Sequence, residues 1–119
     1  MRFALSFLLI AHGVAHLVGF VVPWKLASMP EMPYRTTVLG GSVDLGHAGI
    51  RVVGVFWLAV AVGFAATGAA LVLNKPWLTA GVALACVSLV LCAMQWPDTR
   101  IGVAVNLFLL ATLYVIRSR

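Results

Sequence analysis

His12 and His16 stand one helical turn apart in AHGVAHLVGF, a stretch from Ala11 to Phe20 that otherwise suits a lipid-facing helix. At i and i+4 the two imidazoles share a face. Imidazole titrates nearest neutrality of all side chains, so the pair could donate and accept protons, hold the polar end of a ligand, or serve as metal or haem ligands. An ionisable group in hydrocarbon is costly and points to function by default, although each ring could also do no more than hydrogen-bond a neighbouring helix. No definite third ligand accompanies the two histidines, so no metal site is expected.

Asn106 lies near the middle of the last apolar stretch, at about the depth of His12, and Gly102 and Asp98 precede it at steps of four. A buried amide needs partners in lipid, and His12 is the candidate; plain interhelical glue is the alternative. A carboxylate can orient an imidazole in acid-base chemistry, and Asp98 could equally cap a helix. His12, His16, Asp98 and Asn106 are therefore the candidate catalytic residues. A second set, Gly81, Ala85, Ser88, Cys92 and Gln95, recurs at four-three-four-three spacing and forms one small, polar stripe expected to face inward. Ser88, Cys92 and Gln95, with His47, Arg51, Arg100 and the intramembrane Trp57, make up the candidate ligand-binding residues. For His47 an ordinary interfacial position is the rival reading, and for Asp44 an N-cap.

The elements that must hold these residues follow from composition. The chain has 119 residues, of which 63% are hydrophobic and 9% charged. It cannot hide that much apolar surface inside itself, which argues for a bilayer. Four stretches approach the roughly 20 residues needed to cross about 30 Å of hydrocarbon, at residues 3–22, 50–73, 77–95 and 101–116. The expected fold is all-α, an integral membrane four-helix bundle forming a single domain. The first stretch is read as a retained helix, not a signal peptide, because its apolar run is long and no A-x-A site precedes Pro23.

Asn74-Lys75-Pro76 and Trp96-Pro97-Asp98-Thr99 are tight connections that force antiparallel neighbours, with Pro76 tolerated in a first turn and Asp98 or Thr99 placed to cap the last helix. The first connection, 23–49, is long, and a loop of that length in so small a chain is a lid, a functional segment or an interfacial linker. Its glycine-rich GGSVDLGHAG lacks the phosphate-cradle pattern and reads as turns. Ala11, Ala15 and Gly19, and Ala59, Gly63 and Thr67, are expected to form close-packing seams. Trp24 and Trp96 mark one interface and Trp77 the other.

Depth then sorts the polar groups. His16, Ser88, Cys92, Gln95, Asp98, Arg100, His47 and Arg51 fall in the half near the long loop, and only His12 and Asn106 reach the midplane. The other half holds only Ser6, Thr67 and Thr112. That pattern describes a one-sided pocket and not a channel, which would need polar lining throughout.

The net charge of +5 fits anchoring to anionic lipid. No basic patch is interleaved with aromatics, so nucleic acid is not an expected partner. Basic residues divide evenly between the two sides, but Glu31, Asp44 and Asp98 dilute the loop side. Both termini are accordingly expected on the cytoplasmic side of the membrane. Cys86 and Cys92 sit on divergent faces about 9 Å apart along one helix axis and cannot pair. With no C-x-x-C, thiol-disulfide exchange is not expected.

The segment His12-Gly13-Val14-Ala15-His16-Leu17-Val18-Gly19-Phe20 resembles the DoxX-like superfamily of small four-helix bacterial membrane proteins, whose members often carry H-G-x-x-K-L-x-G-F in the first span. Here His16 stands at the lysine position. The chain is more similar still to a subgroup with H-G-x-x-H-L-x-G-F first and D-x-[KR]-x-G-x-x-x-N last, here Asp98, Arg100, Gly102 and Asn106. The resemblance implies roles around quinone-linked thiol or sulfur oxidation and redox stress.

The function expected is a pocket for a lipophilic ligand such as a quinone, isoprenoid or sterol-like compound, supporting acid-base or quinone-linked chemistry. The alternative is a non-catalytic accessory or structural subunit docked to a second copy or another membrane protein. No particular cofactor is singled out.

Overall fold

The computed structural model describes residues 2–119. Its helices are α1 (Arg2–His16), α2 (Val18–Val21), α3 (Gly46–Val72), α4 (Leu78–Met94) and α5 (Arg100–Arg117). A two-stranded antiparallel hairpin, β1 (Thr37–Val38) with β2 (Val43–Asp44), and an isolated bridge between Met29 and Met32 are added to an otherwise all-α architecture. Leu17 N–H bonds to Val14 O at 3.0 Å, a tightened turn that separates α1 from α2 without ending the rod. The pair therefore runs as one apolar length of 20 residues, Arg2–Val21. This length, Gly46–Val72 and Arg100–Arg117 are each long and apolar enough to cross a membrane, and Leu78–Met94 is a shorter apolar helix.

Outward faces are as apolar as the interior. Phe3, Phe7, Phe56, Phe108 and Ile101 all project away from the bundle, with Phe7 74% and Ile101 75% exposed. Phe64, Leu9, Ile50, Leu109 and Leu113 fill the centre. The three hydroxyls of the apolar half close on helix carbonyls, Ser6 on Gly68 O, Thr67 on Gly63 O and Thr112 on Phe108 O. Each thereby meets its hydrogen-bonding requirement without water.

The expected seams need correction. Ala11, Ala15 and Ala59 point outward, and the tight α1–α3 contact runs through other residues. A Cβ on Gly13 would sit 2.8 Å from Ala61 O, and one on Gly68 would sit 2.6 Å from Ile10 Cγ1. Glycine wins over alanine there because only a missing Cβ lets two helix backbones approach so closely. Gly63 instead meets Leu84 of α4. The stripe of Gly81, Ala85, Ser88 and Cys92 is buried, with Gln95 at its half-buried end.

Helix boundaries also shift. The second long helix begins at Gly46, not Ile50; its N-cap is Leu45 and not Asp44, whose carboxylate accepts the Gly46 N–H at 2.9 Å in the turn that leads into the helix. Its C-terminus closes with Asn74 at a φ of +57°, Lys75 N–H bonding to Ala70 O at 2.8 Å, an amide-bearing residue in the left-handed position usually given to glycine. Pro76 lies before α4 instead of in its first turn. Neither Asp98 nor Thr99 caps α5 through its side chain. Thr99 donates its hydroxyl to Cys92 O, tying the short turn back onto α4.

The long connection is ordered, not structureless. Val22, Met32 and Val38 are buried. The hairpin tip attaches to the end of α4 by Leu39 N–H to Met94 O at 2.7 Å. The segment thus covers one end of the bundle, the end at which His16, Gln95 and Asp98 lie.

Candidate functional site

Three helices, α1, α4 and α5, contribute to one buried polar cluster. His12 Nε2 is 3.1 Å from Asn106 Oδ1 across the bundle, and Asn106 Nδ2 donates to Ser88 Oγ at 2.8 Å and to Gly102 O at 2.9 Å. His16 bonds Ser88 through Nε2 and the carbonyl of His12 through Nδ1 at 2.7 Å. The Cys92 Sγ lies 3.7 Å from Asn106 Nδ2. His12, His16, Ser88, Asn106 and Cys92 are all buried.

The reason this cluster forms is local in each case. The two rings meet edge to face at 4.4 Å because they are one turn apart, and Phe64 of α3 packs against both at 5.1 and 5.4 Å. Trp57 lies 5.0 Å from the His16 ring and donates its indole N–H to Gln95 Oε1. Gly19 makes room for that indole, since a Cβ there would fall 2.1 Å from Trp57 Cδ2. Gly102 plays the same part for α4 and α5, where a Cβ would meet Cys92 Sγ at 2.7 Å.

α1 and α5 scarcely approach each other through their backbones, whereas α1 with α3 and α4 with α5 pack closely. The gap between them is a cavity of about 280 Å³. His12 and His16 form part of its wall with Cys92 and Trp57, and Ala15, Val18, Ile101 and Val105 line its sides. Ile101 and Ala15 are themselves outward-facing, so the cavity opens sideways through the apolar flank of the bundle. Glu31 and Met32 from the long connection, with Asp98 and Thr99, form its upper rim.

Several expected members stand elsewhere. Asp98 accepts from Arg35 Nε at 2.9 Å and reaches neither histidine, so it belongs to the rim and not to the cluster. His47 bonds the Tyr34 hydroxyl on the exposed surface of the first turn of α3. Arg51 lies over the Trp24 ring at 5.4 Å, and Arg100 is exposed. Gln95 faces Trp57 instead of the cavity. Asp44, at the start of α3, has its carboxyl held below the usual carboxylate range by the Gly46 N–H and then by Thr36. Among the described residues no three His, Cys, Asp or Glu side chains gather as a metal site.

Sequence reasoning missed Phe64, Arg35 and the rim residues Glu31 and Met32. Phe64 could have been found, being on the α3 face about two turns beyond Trp57. The loop residues carried no such signal, because their placement depends on the folded hairpin.

No protein family model, curated protein or solved structure matches the chain.

Proposed function

We propose that the protein is an integral membrane four-helix bundle of the bacterial inner membrane, both termini cytoplasmic, that binds a lipophilic small molecule in the cavity between α1 and α5. A quinone, isoprenoid or sterol-like compound is the class of ligand, and membership of the DoxX-like superfamily is part of this reading. The observation that carries it is the sideways opening of an apolar-walled cavity onto two buried histidines. A water-soluble ligand would have to cross apolar flank to reach them; a molecule dissolved in the acyl chains would not. The cavity's 280 Å³ lies at the lower end of small-molecule sites, sized for a ring or a terminal isoprenoid unit with the tail left in the bilayer. His12 meets the polar end. His16, with both ring nitrogens engaged, positions His12 through its backbone carbonyl and Ser88.

The test is native mass spectrometry of protein released from membranes, comparing wild type with Ala15→Phe. Ala15 is outward-facing on the cavity's edge, so a phenyl ring there fills the space without entering the helix seams. A lipophilic adduct in wild type that is lost in Ala15→Phe is the expected result. Adduct-free protein in both would end the reading in favour of an accessory subunit whose histidines serve packing.

A further inference from the structure

Proton directions in the buried cluster are dictated by two groups that can only accept, the carbonyls of Gly102 and His12. The Asn106 atom 2.9 Å from Gly102 O must be the amide nitrogen, which turns Oδ1 towards His12 Nε2 at 3.1 Å. His12 Nε2 therefore carries a proton. The His16 nitrogen 2.7 Å from His12 O must likewise be a donor, so in a neutral ring its Nε2 accepts the hydroxyl proton of Ser88. Ser88 Oγ is then free to accept from Asn106 Nδ2 at 2.8 Å. The chain of bonds closes with each of these protons assigned.

One strong site is left over. A neutral imidazole protonated at Nε2 bears a bare lone pair at Nδ1, and His12 Nδ1 has no hydrogen-bond partner among the described residues. The ring is only 7% exposed and lines the cavity. Among the described residues no buried side-chain nitrogen or oxygen is left both sealed and unpartnered, so Nδ1 retains access to open space.

The other polar side chains around the cavity offer no strong donor in competition. Trp57 N–H is taken by Gln95, the Thr99 hydroxyl by Cys92 O, and both His16 nitrogens are engaged. Glu31 and Asp98 at the rim are acceptors when ionised, Asp98 being matched by Arg35. Of the side chains, only the Cys92 thiol remains as a donor, and it is weak. At His12 the cavity wall accepts and does not donate, which is complementary to a ligand that donates.

We propose that the site selects a lipophile ending in a hydroxyl, a phenol, quinol or isoprenoid alcohol, whose O–H donates to His12 Nδ1, over the corresponding carbonyl or ether. This rests on the lipophile-binding reading and narrows it from a size class to a hydrogen-bonding class. For a quinone-type ligand it means preference for the reduced form.

The test uses the full-length protein in nanodiscs, titrated with two matched pairs: 4-nonylphenol against 4-nonylanisole, and farnesol against its methyl ether. The hydroxyl member of a pair should bind about tenfold more tightly, the worth of one hydrogen bond made in a dry site. The preference should collapse towards unity in His12→Phe. Side-chain ¹⁵N spectra of the wild type, which need no mutation, should show the His12 proton on Nε2 and an Nδ1 signal that moves when the hydroxyl compound is added. Whichever pair shows the preference names the source, aromatic or aliphatic. Equal affinity within both pairs, tighter ether binding, or a proton on Nδ1 would overturn the proposal and leave the lipophile site standing. Failure of all four compounds to bind would overturn both.

Discussion

Two histidines of the same type, one turn apart, have different duties. His16 spends both nitrogens on the protein, whereas His12 spends one and leaves the other without a protein partner among the described residues. The difference arises from their neighbours across the bundle, Ser88 for one and Asn106 for the other. Gly13, between them, sets how near α3 can come. On helix propensity alone Gly13→Ala should stabilise α1 by about 1 kcal/mol. A Cβ there would instead fall 2.8 Å from Ala61 O and 3.0 Å from Phe64 Cβ, a backbone atom and a side-chain stem that belong to one rigid helix. The expected outcome is a net loss of about 1–3 kcal/mol in unfolding by denaturing detergent. A gain in stability would mean that the helices do not approach as described.

At the scale of elements, the long connection is tied down at both ends, by Leu39 N–H on Met94 O and by Asp44 at the start of α3. Leu39 holds a φ of +56° beside Gly40 and Gly41, a strained choice that the hairpin tip tolerates because its N–H is used. Asp44 makes the helix start sensitive to acid. Its folded carboxyl titrates below its ordinary value of 3.8, chiefly through the Gly46 N–H. Since the folded form binds its proton less readily than the unfolded one, this contribution is complete above that ordinary value and is lost as the pH falls through the lowered one. Asp44→Ala should therefore melt below wild type at neutral pH, and the two melting curves should converge as the pH falls past the folded value. A difference that persists unchanged into acid would show that the carboxylate charge is not what holds the turn.

For the whole molecule, the proposed four spans put both termini on one side and the long connection on the other. Impermeant maleimide labelling of intact cells and inverted vesicles, with Ser28→Cys and Ser118→Cys in turn, should mark opposite faces, with Ser118 on the cytoplasmic one. Cys86, exposed on the apolar flank of α4, should stay unlabelled from both sides. Labelling of positions 28 and 118 from the same face would rule out the four-span arrangement.

The four apolar helices, three of them long enough to cross a membrane, and the level of each polar residue along its helix could be read from the sequence. They depend on chain length, on two short turns and on counting along a helix. That reasoning was enough to pair His12 with Asn106, 94 residues away. It could not set the rotation of each helix about its axis. Small residues occur on more than one face of α1, and the choice of Gly13 and Gly19 over Ala11 and Ala15 is made by what α3 presents. Asp98 likewise found Arg35, a loop residue with no periodic position, instead of a histidine. The tertiary structure alone decided that α1 and α5 stand apart and that the free lone pair belongs to His12. Both depend on the mutual orientation of four helices, and hydrogen-bond direction is a property of the closed network, not of any one segment.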